Sequence, residues 1–264
     1  MTIVADIEQR AQSIRATVIE MCRGRGQGYA GQGLGLADLA ACLYFHELRD
    51  GTDQFVLSTG HSAIVVFAAL HERGLYELDE LRTYGMDGSR IEESPLEGTP
   101  GFVITGGSLG QGLSQAVGLA LGERLKGADG RVYCLVSDGE LQEGQVWEAC
   151  MSASHYRLDN LVLLVDNNRM QADGATADVM AVEPIVDKLA AFGLATREID
   201  ANDTEQVLRA FDWARSQTGR PSALVCDNVP GKGAPTLEAY RRVHYIRVPD
   251  DVWKVSLSEV GGSA

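Results

Sequence analysis

The sequence predicts an α/β fold: an open, mostly parallel sheet with helices on both faces. Three observations predict it. From residue 109 onward, helical and strand-like segments alternate as α-β-α-β-α-β-α-β. Two of the strands, "RVYCLVS" (131–137) and "NLVLLVD" (160–166), are apolar almost throughout, the mark of strands buried on both faces. The 264 residues suffice for one sizeable α/β domain with a real core.

Taken in order, helical periodicity covers 5–23, 35–48, 61–73, 109–126, 145–156, 185–192 and 203–217. The strand-like runs are "QFVLS" (54–58), 131–137, 160–166, "ATREID" (195–200) and "SALVCD" (222–227). The stretch 74–108 is rich in Gly, Pro and Ser and reads as a long ordered excursion over the sheet's edge. Loops of that length in compact domains often carry function. No internal repeat is visible, and a single domain over 1–264 is expected.

Composition excludes several classes. The net charge is −14 and the isoelectric point about 4.7, so the basic footprint needed for a phosphate backbone is missing, and nucleic acid is not an expected partner. No apolar run approaches the ~20 residues that span a bilayer, so no membrane is expected either. The N-terminal "MTIVADIEQRAQSIRATVIEM" reads as an amphipathic helix, not a signal peptide. The five cysteines are odd in number, lack C-x-x-C and lie mostly in apolar patterns. They are expected to be buried and reduced, which points to the cytoplasm. Neither they nor the five histidines cluster at zinc spacing.

In an open α/β sheet, ligands bind outside the carboxyl ends of the strands. One such end is "VYCLVSDGELQEG" (132–144), where an apolar strand runs into an Asp-Gly pair and two further acids. Either this is a solvated acidic turn, or something positive sits in it. The neighbouring strand end offers Asp166, Asn167 and Asn168, then Arg169 and Met170. Side by side, Asp138 and Asn168 are oxygen ligands that, with a main-chain carbonyl and water, suit Mg²⁺ or Ca²⁺. Mg²⁺ leaves positions for substrate phosphates, so a diphosphate would complete the shell. Gly139 would let the backbone approach it closely. Helices starting near 145 and at Leu109 would aim their N-termini at the same crevice.

Other glycine motifs carry less. "GQGYAG" (26–31) matches G-x-G-x-x-G but follows a helix, so the dinucleotide context is missing. "PGKGAP" (230–235) lacks P-loop spacing. "ITGGSLGQGLSQAVGLALGERL" (104–125) is either a Gly-rich cap before a small-residue helix face or a loop whose backbone holds a ligand.

Five segments together carry a resemblance. "SDGELQEGQVWEACMSASHYRLDNLVLLVDNNRMQADG" resembles the thiamine-diphosphate motif, G-D-G followed after about thirty residues by N-N, in its transketolase version. "GLADLAACLY", "FVLSTGH", "TGGSLGQGLSQAVGLA" and "VCDNVPGKG" resemble further transketolase segments. The match covers nearly the whole chain and is similar to the N-terminal, diphosphate-binding subunit of a split transketolase-like enzyme. The resemblance implies a metal held by Asp138, Asn168 and the main-chain carbonyl of Met170. It implies Gly139 at the diphosphate, Gly107 and Leu109 at the aminopyrimidine, and Glu143 in the cofactor-binding set. His61 falls where the family's S-N-G-H places a cofactor-side histidine. His244 falls near a family W-H-G, although its neighbours here are Val243 and Tyr245. The resemblance thus implies His61, His244 and Tyr29 at the reacting centre, with both histidines also touching the cofactor.

Two departures stand out. Gly28-Tyr29-Ala30 replaces the family's G-H-P, so Tyr29 stands in for a substrate-binding histidine. "RIEESPLEGTPG" offers Glu92, Glu93 and Ser94 where a second such histidine belongs. The glutamate that activates the cofactor belongs, in this family, to a pyrimidine-binding domain for which the chain leaves no room. A partner subunit, in an α2β2 particle, is therefore expected. The reading that follows is transfer of a two-carbon ketol unit from a ketose or 2-oxo-acid donor, dependent on thiamine diphosphate and Mg²⁺. Alternatives are a 2-oxo-acid dehydrogenase E1-like or hybrid component that delivers an acyl unit to a lipoyl or carrier protein, and a non-catalytic regulatory subunit.

Overall fold

A computed structural model describes residues 2–262. Its centre is a five-stranded sheet of β1 (Gln54–Leu57), β2 (Val132–Ser137), β3 (Leu161–Asn167), β4 (Ala195–Asp200) and β5 (Ser222–Asp227), in the order β1-β2-β3-β5-β4. Every pairing is parallel. All five expected strands are present, and all their carboxyl ends lie on one edge of the sheet.

Alternation along the strands splits the core in two. Tyr133, Leu135, Val162, Leu164, Leu224 and Cys226 face one apolar layer. Cys134, Val136, Leu163, Val165, Ala223 and Val225 face the other. The first layer is covered by α1 (Ile3–Arg25), α2 (Ala63–Glu72), α6 (Thr204–Ser216) and α7 (Asp250–Glu259); the second by α3 (Gly112–Leu125), α4 (Gly144–His155) and α5 (Ile185–Ala191). Strands buried on both faces cannot alternate in polarity, which is why 131–137 and 160–166 read as continuous apolar runs. Strand β4 lies at the edge and exposes Arg197 and Glu198. Local chemistry sets the helix ends. The Thr2 hydroxyl accepts from the Ala5 N–H, and Gly26 ends α1 in the left-handed region at φ +77°. Asp203 caps α6 by accepting from the Gln206 N–H at 3.0 Å.

The structure departs from expectation in three places. The stretch 35–48 is not one helix. It divides into Ala30–Gly35, Ala37–Cys42 and a π-helical turn at Leu43–Glu47. Everything from Ala30 to Cys42 is buried, so no amphipathic stripe marks the breaks and packing overrides periodicity. Helix α3 begins at Gly112 rather than Leu109, because Gly107 and Gly110 adopt φ of +126° and +83°. The sequence reading also missed α7, although Pro249 followed by Asp250 and Asp251 is a start signal and its Trp253 is fully buried.

The 74–108 excursion contains one helical turn, Leu78–Leu81. It is anchored by the buried side chains of Tyr76, Leu81, Tyr84 and Ile91. Phe102 closes it onto α2 with its ring 4.8 Å from that of Phe67. All five cysteines are buried and none is in a disulfide.

Candidate active site

Register places Ser137 opposite Asp166, so the ends of β2 and β3 lie side by side. The next peptide continues the ladder, with the Asp138 N–H donating to the Asp166 carbonyl at 2.9 Å. Asp138 is 1% exposed, and its carboxylate accepts from the Gly139 N–H and the Thr176 hydroxyl, both at 2.8 Å. No Lys or Arg pairs with it among the described residues. Burial raises its pKa against the pull of those hydrogen bonds. Asn168 is oriented from both ends. Its Nδ2 donates to Asp166 at 2.8 Å, and its Oδ1 accepts from the Met170 N–H at 2.9 Å. Asp166 also accepts from the Asn228 amide, and burial, then the nearby Asp138, pushes its pKa up to about 7.

The chain leaves Asn168 through Arg169, a non-glycine residue at φ +56°. That turn starts a two-residue hairpin, Met170–Gln171 against Gly174–Ala175. The hairpin returns Thr176 to Asp138, and Arg169 is tied back by Asp227 at 2.8 Å. Met170 is thereby held beside Asn168 at the same strand end as Asp138. A Cβ at Gly139 would meet nothing of the chain closer than 3.5 Å, so internal packing does not require glycine there.

The Gly-rich loop approaches from the other side. A Cβ on Gly60 would lie 2.5 Å from the Gly107 nitrogen, so backbone meets backbone where His61 follows. Glu140 fixes this contact. It is fully buried and accepts from the Ser58 hydroxyl and from the Gly110 N–H at 2.6 Å, while Ser58 accepts from the Gly112 N–H at 3.0 Å. Gly107 and Leu109 lie on this loop. Glu143 is exposed at the start of α4, against Gly110.

His61, His244 and Tyr29 form one aromatic group. The His61 and His244 ring centroids are 5.2 Å apart, and Tyr29 lies 5.5 and 5.7 Å from them. Sequence-distant residues meet because Gln27–Gly28 pairs antiparallel with Ile246–Arg247. Gly31 has no room for a side chain beside the Val243 carbonyl, to which its own N–H donates at 3.1 Å. The Gln32 amide holds His244 Nδ1. Burial pushes the His61 pKa down to about 3, helped by His244, and that of His244 to about 4. Both rings are therefore neutral at pH 7. His61 Nε2 is buried with no hydrogen-bond partner among the described residues.

Residues 7–256 match the family described as "Transketolase, thiamine diphosphate binding domain". The chain belongs to the transketolase family. It is 46% identical over 257 residues to a transketolase family protein of Sinorhizobium fredii, covering 94% of this chain and 92% of that one. It is 33% identical to a 6-deoxy-6-sulfo-D-fructose transketolase subunit of a Clostridium species, with 97% and 96% covered. It also resembles one of the subunits of the apulose-4-phosphate transketolase of Phocaeicola vulgatus, at 31% identity with 92% and 89% covered. Among solved structures, transketolase from Campylobacter jejuni superposes with a TM-score of 0.89 at 28% identity, over 100% of this chain and 44% of that one. The chain therefore spans less than half the length of that enzyme. Its class is that of a transketolase-type transferase with a domain that binds thiamine diphosphate.

For this transketolase-family chain, the predicted residues fall into two adjoining groups. Asp138, Gly139, Asn168 and Met170 gather at the strand ends; His61, His244 and Tyr29 gather at the aromatic group. Gly107 and Leu109 lie on the loop that meets Gly60. Sequence reasoning missed Glu140, Ser58, Thr176, Gln32 and Asn228. Thr176 and Gln32 bond Asp138 and His244 directly, Asn228 bonds Asp166, and Glu140 and Ser58 hold the Gly-rich loop; only proximity in the fold reveals these contacts.

Proposed function

We propose that this chain is the diphosphate-binding subunit of a two-component transketolase that uses thiamine diphosphate and Mg²⁺ to transfer a two-carbon ketol unit. The observation that carries this reading is the donor set at the ends of β2 and β3. Asp138 is a buried carboxylate with no cationic partner among the described residues, and such a group is costly unless a cation accompanies it. Asp138, the Asn168 amide and the Met170 carbonyl are the oxygen donors that suit Mg²⁺. The donor set fits the family's metal, and Gly139 leaves the backbone open to a diphosphate. The unpartnered His61 Nε2 is available to a diphosphate oxygen or a reacting hydroxyl.

When bound, thiamine diphosphate supplies the carbanion chemistry. The chain's own part is to hold and orient. Asp138 and Asn168 fix the charged end, and the Gly-rich loop, pinned by Glu140, presents main-chain groups. Neutral His61 and His244 offer hydrogen bonds at the reacting centre. The relatives whose names call them subunits support a separate partner that supplies the pyrimidine-binding domain. A symmetric α2β2 particle in the cytoplasm is the arrangement we propose, closed two-fold symmetry being the commonest solution. No helix among the described residues is long and apolar enough to cross a membrane.

The test is reconstitution. The purified chain with cofactor and Mg²⁺ should show no turnover, and ketose-dependent glycolaldehyde transfer should appear on mixing with the partner. Full activity from the isolated chain refutes the two-component reading. Acylation of a carrier protein without ketol transfer moves the reading to the E1-like class.

A further inference from the structure

The short helix Ala30–Gly35 carries a single polar side chain, and it is buried. Gln32 is 1% exposed, and its amide nitrogen lies against His244 Nδ1. Its Oε1 is buried with no hydrogen-bond partner among the described residues. A buried amide with one bond unmade costs stability, so packing alone would be better served by an apolar side chain of the same length. The backbone around it is fixed from several sides. The Gly31 N–H donates to the Val243 carbonyl at 3.1 Å, and the Gly31 carbonyl accepts from the Gly231 N–H at 3.0 Å. A Cβ at Gly33 would lie 2.7 Å from Val18 Cγ1, so the helix is pressed against α1. Gln32 and His244 thus meet where their own backbones are tied together.

We propose that Gln32 is a positioning residue that fixes His244 as its Nε2–H tautomer, so that this histidine meets a reacting group as a hydrogen-bond donor and not as a base. An amide nitrogen only donates, so the Nδ1 that it faces must accept. A neutral imidazole whose Nδ1 accepts carries its proton on Nε2. Burial keeps His244 neutral at pH 7, its pKa being pushed down to about 4. With Nδ1 taken by Gln32, and Nε2 free of hydrogen bonds among the described residues, the N–H is what remains for a ligand. His61 differs. No group among the described residues bonds its ring, and its Nε2 is buried and unpartnered, so its tautomer is left to what binds. The two rings, with centroids 5.2 Å apart, are therefore set for different tasks. His244 donates, and only His61 keeps a nitrogen free to accept a proton.

The use of the N–H rests on the ketol-transfer reading; the tautomer does not, and two measurements keep them apart. Nitrogen-15 NMR of the full chain, labelled in histidine, reads the ring directly, with His244 assigned by the signals lost in His244→Asn. Wild type should show an unprotonated, pyridine-type Nδ1 and a pyrrole-type Nε2. Gln32→Met keeps the length and drops the donor, so the two forms should interconvert and the signals average. Gln32→Glu replaces the donor with a group that accepts, and should put a proton on Nδ1. A wild-type Nδ1–H, or a tautomer unchanged in Gln32→Met, overturns the proposal. Where Gln32→Glu does not fold, wild type and Gln32→Met decide the matter. In the reconstituted complex, Gln32→Met should lower kcat by about tenfold or more and leave KM for the ketose within about twofold. An unchanged kcat, or a loss confined to cofactor affinity, overturns the placing of the N–H at a reacting group. A wild-type complex that transfers no ketol unit from any ketose overturns the functional reading itself, and the spectra still decide the tautomer.

Discussion

The two ends of the site are built differently. At the strand ends, Asp138, Asp166 and Asn168 are 1%, 0% and 6% exposed, and central-sheet register and paired hydrogen bonds fix them. At the aromatic end, Tyr29, His244 and Tyr245 lie on irregular segments, partly exposed, joined by ring contacts and one two-residue strand pair. The first end matches the family motif almost letter for letter. Both departures, Tyr29 and the 90–101 loop, fall at the second. Under the proposed function, chemistry that any donor requires sits on the rigid sheet, and chemistry that would select a donor sits on loops, where substitution disturbs no core.

The largest effect should come from breaking the first end. Asp138→Ala should abolish metal-dependent cofactor binding and leave the fold intact. Losing this ligand leaves a diphosphate and its metal poorly compensated, at a cost of at least about 3 kcal/mol, or on the order of 100-fold in affinity. Calorimetric titration of the complex with cofactor and Mg²⁺ measures it, and circular dichroism checks the fold. Unchanged affinity would mean that the carboxylate serves the hairpin through Thr176 and not a metal.

The second end should show itself through pH. His61 and His244 have folded pKa values of about 3 and about 4, below the ordinary ~6.5. Both are depressed, so above pH ~6.5 neither protonates in either state and the native form keeps its full stability. As pH falls from there toward the folded values, the unfolded chain takes up protons that the native chain refuses, and stability is lost. At pH 5 the loss should be about 2 kcal/mol per histidine. Urea unfolding at pH 7 and pH 5 should show this slope in wild type, and His244→Asn should flatten it. An equal slope in the variant would place the titrating group elsewhere.

The sheet was legible because buried parallel strands leave long apolar runs and because Asp-Gly and Asn-Asn fall at strand ends. Asp138 and Asn168 could be found for that reason, and the family pattern added His61. The supporting residues were not legible. Glu140 reads as one acid in an acidic turn until Ser58 and the Gly110 N–H are seen to bond it. Gln32 reads as a polar residue in a glycine-rich run until the 243–247 segment returns beside it. Arg25 and Glu93 lie 68 positions apart, and nothing local joins them. Such pairs depend on chain reversals whose geometry no periodicity encodes.

The smallest expected effect concerns Tyr29 and sharpens the contrast between the ends. Burial first, and Glu93 second, raise the pKa of its phenol, so it stays protonated at neutral pH. It can give one hydrogen bond to a substrate hydroxyl but is a poor proton shuttle, whereas a histidine can titrate. Its ring also takes more room beside His61 and His244. Tyr29→His and Tyr29→Phe should therefore leave cofactor affinity alone and alter the choice of donor. Assayed with sugar-phosphate and simple 2-oxo-acid donors, the ratio of kcat/KM values should shift tenfold or more, about 1.4 kcal/mol of differential transition-state binding. If both variants change every donor by the same factor, Tyr29 only packs against its neighbours. Donor choice would then rest with other residues.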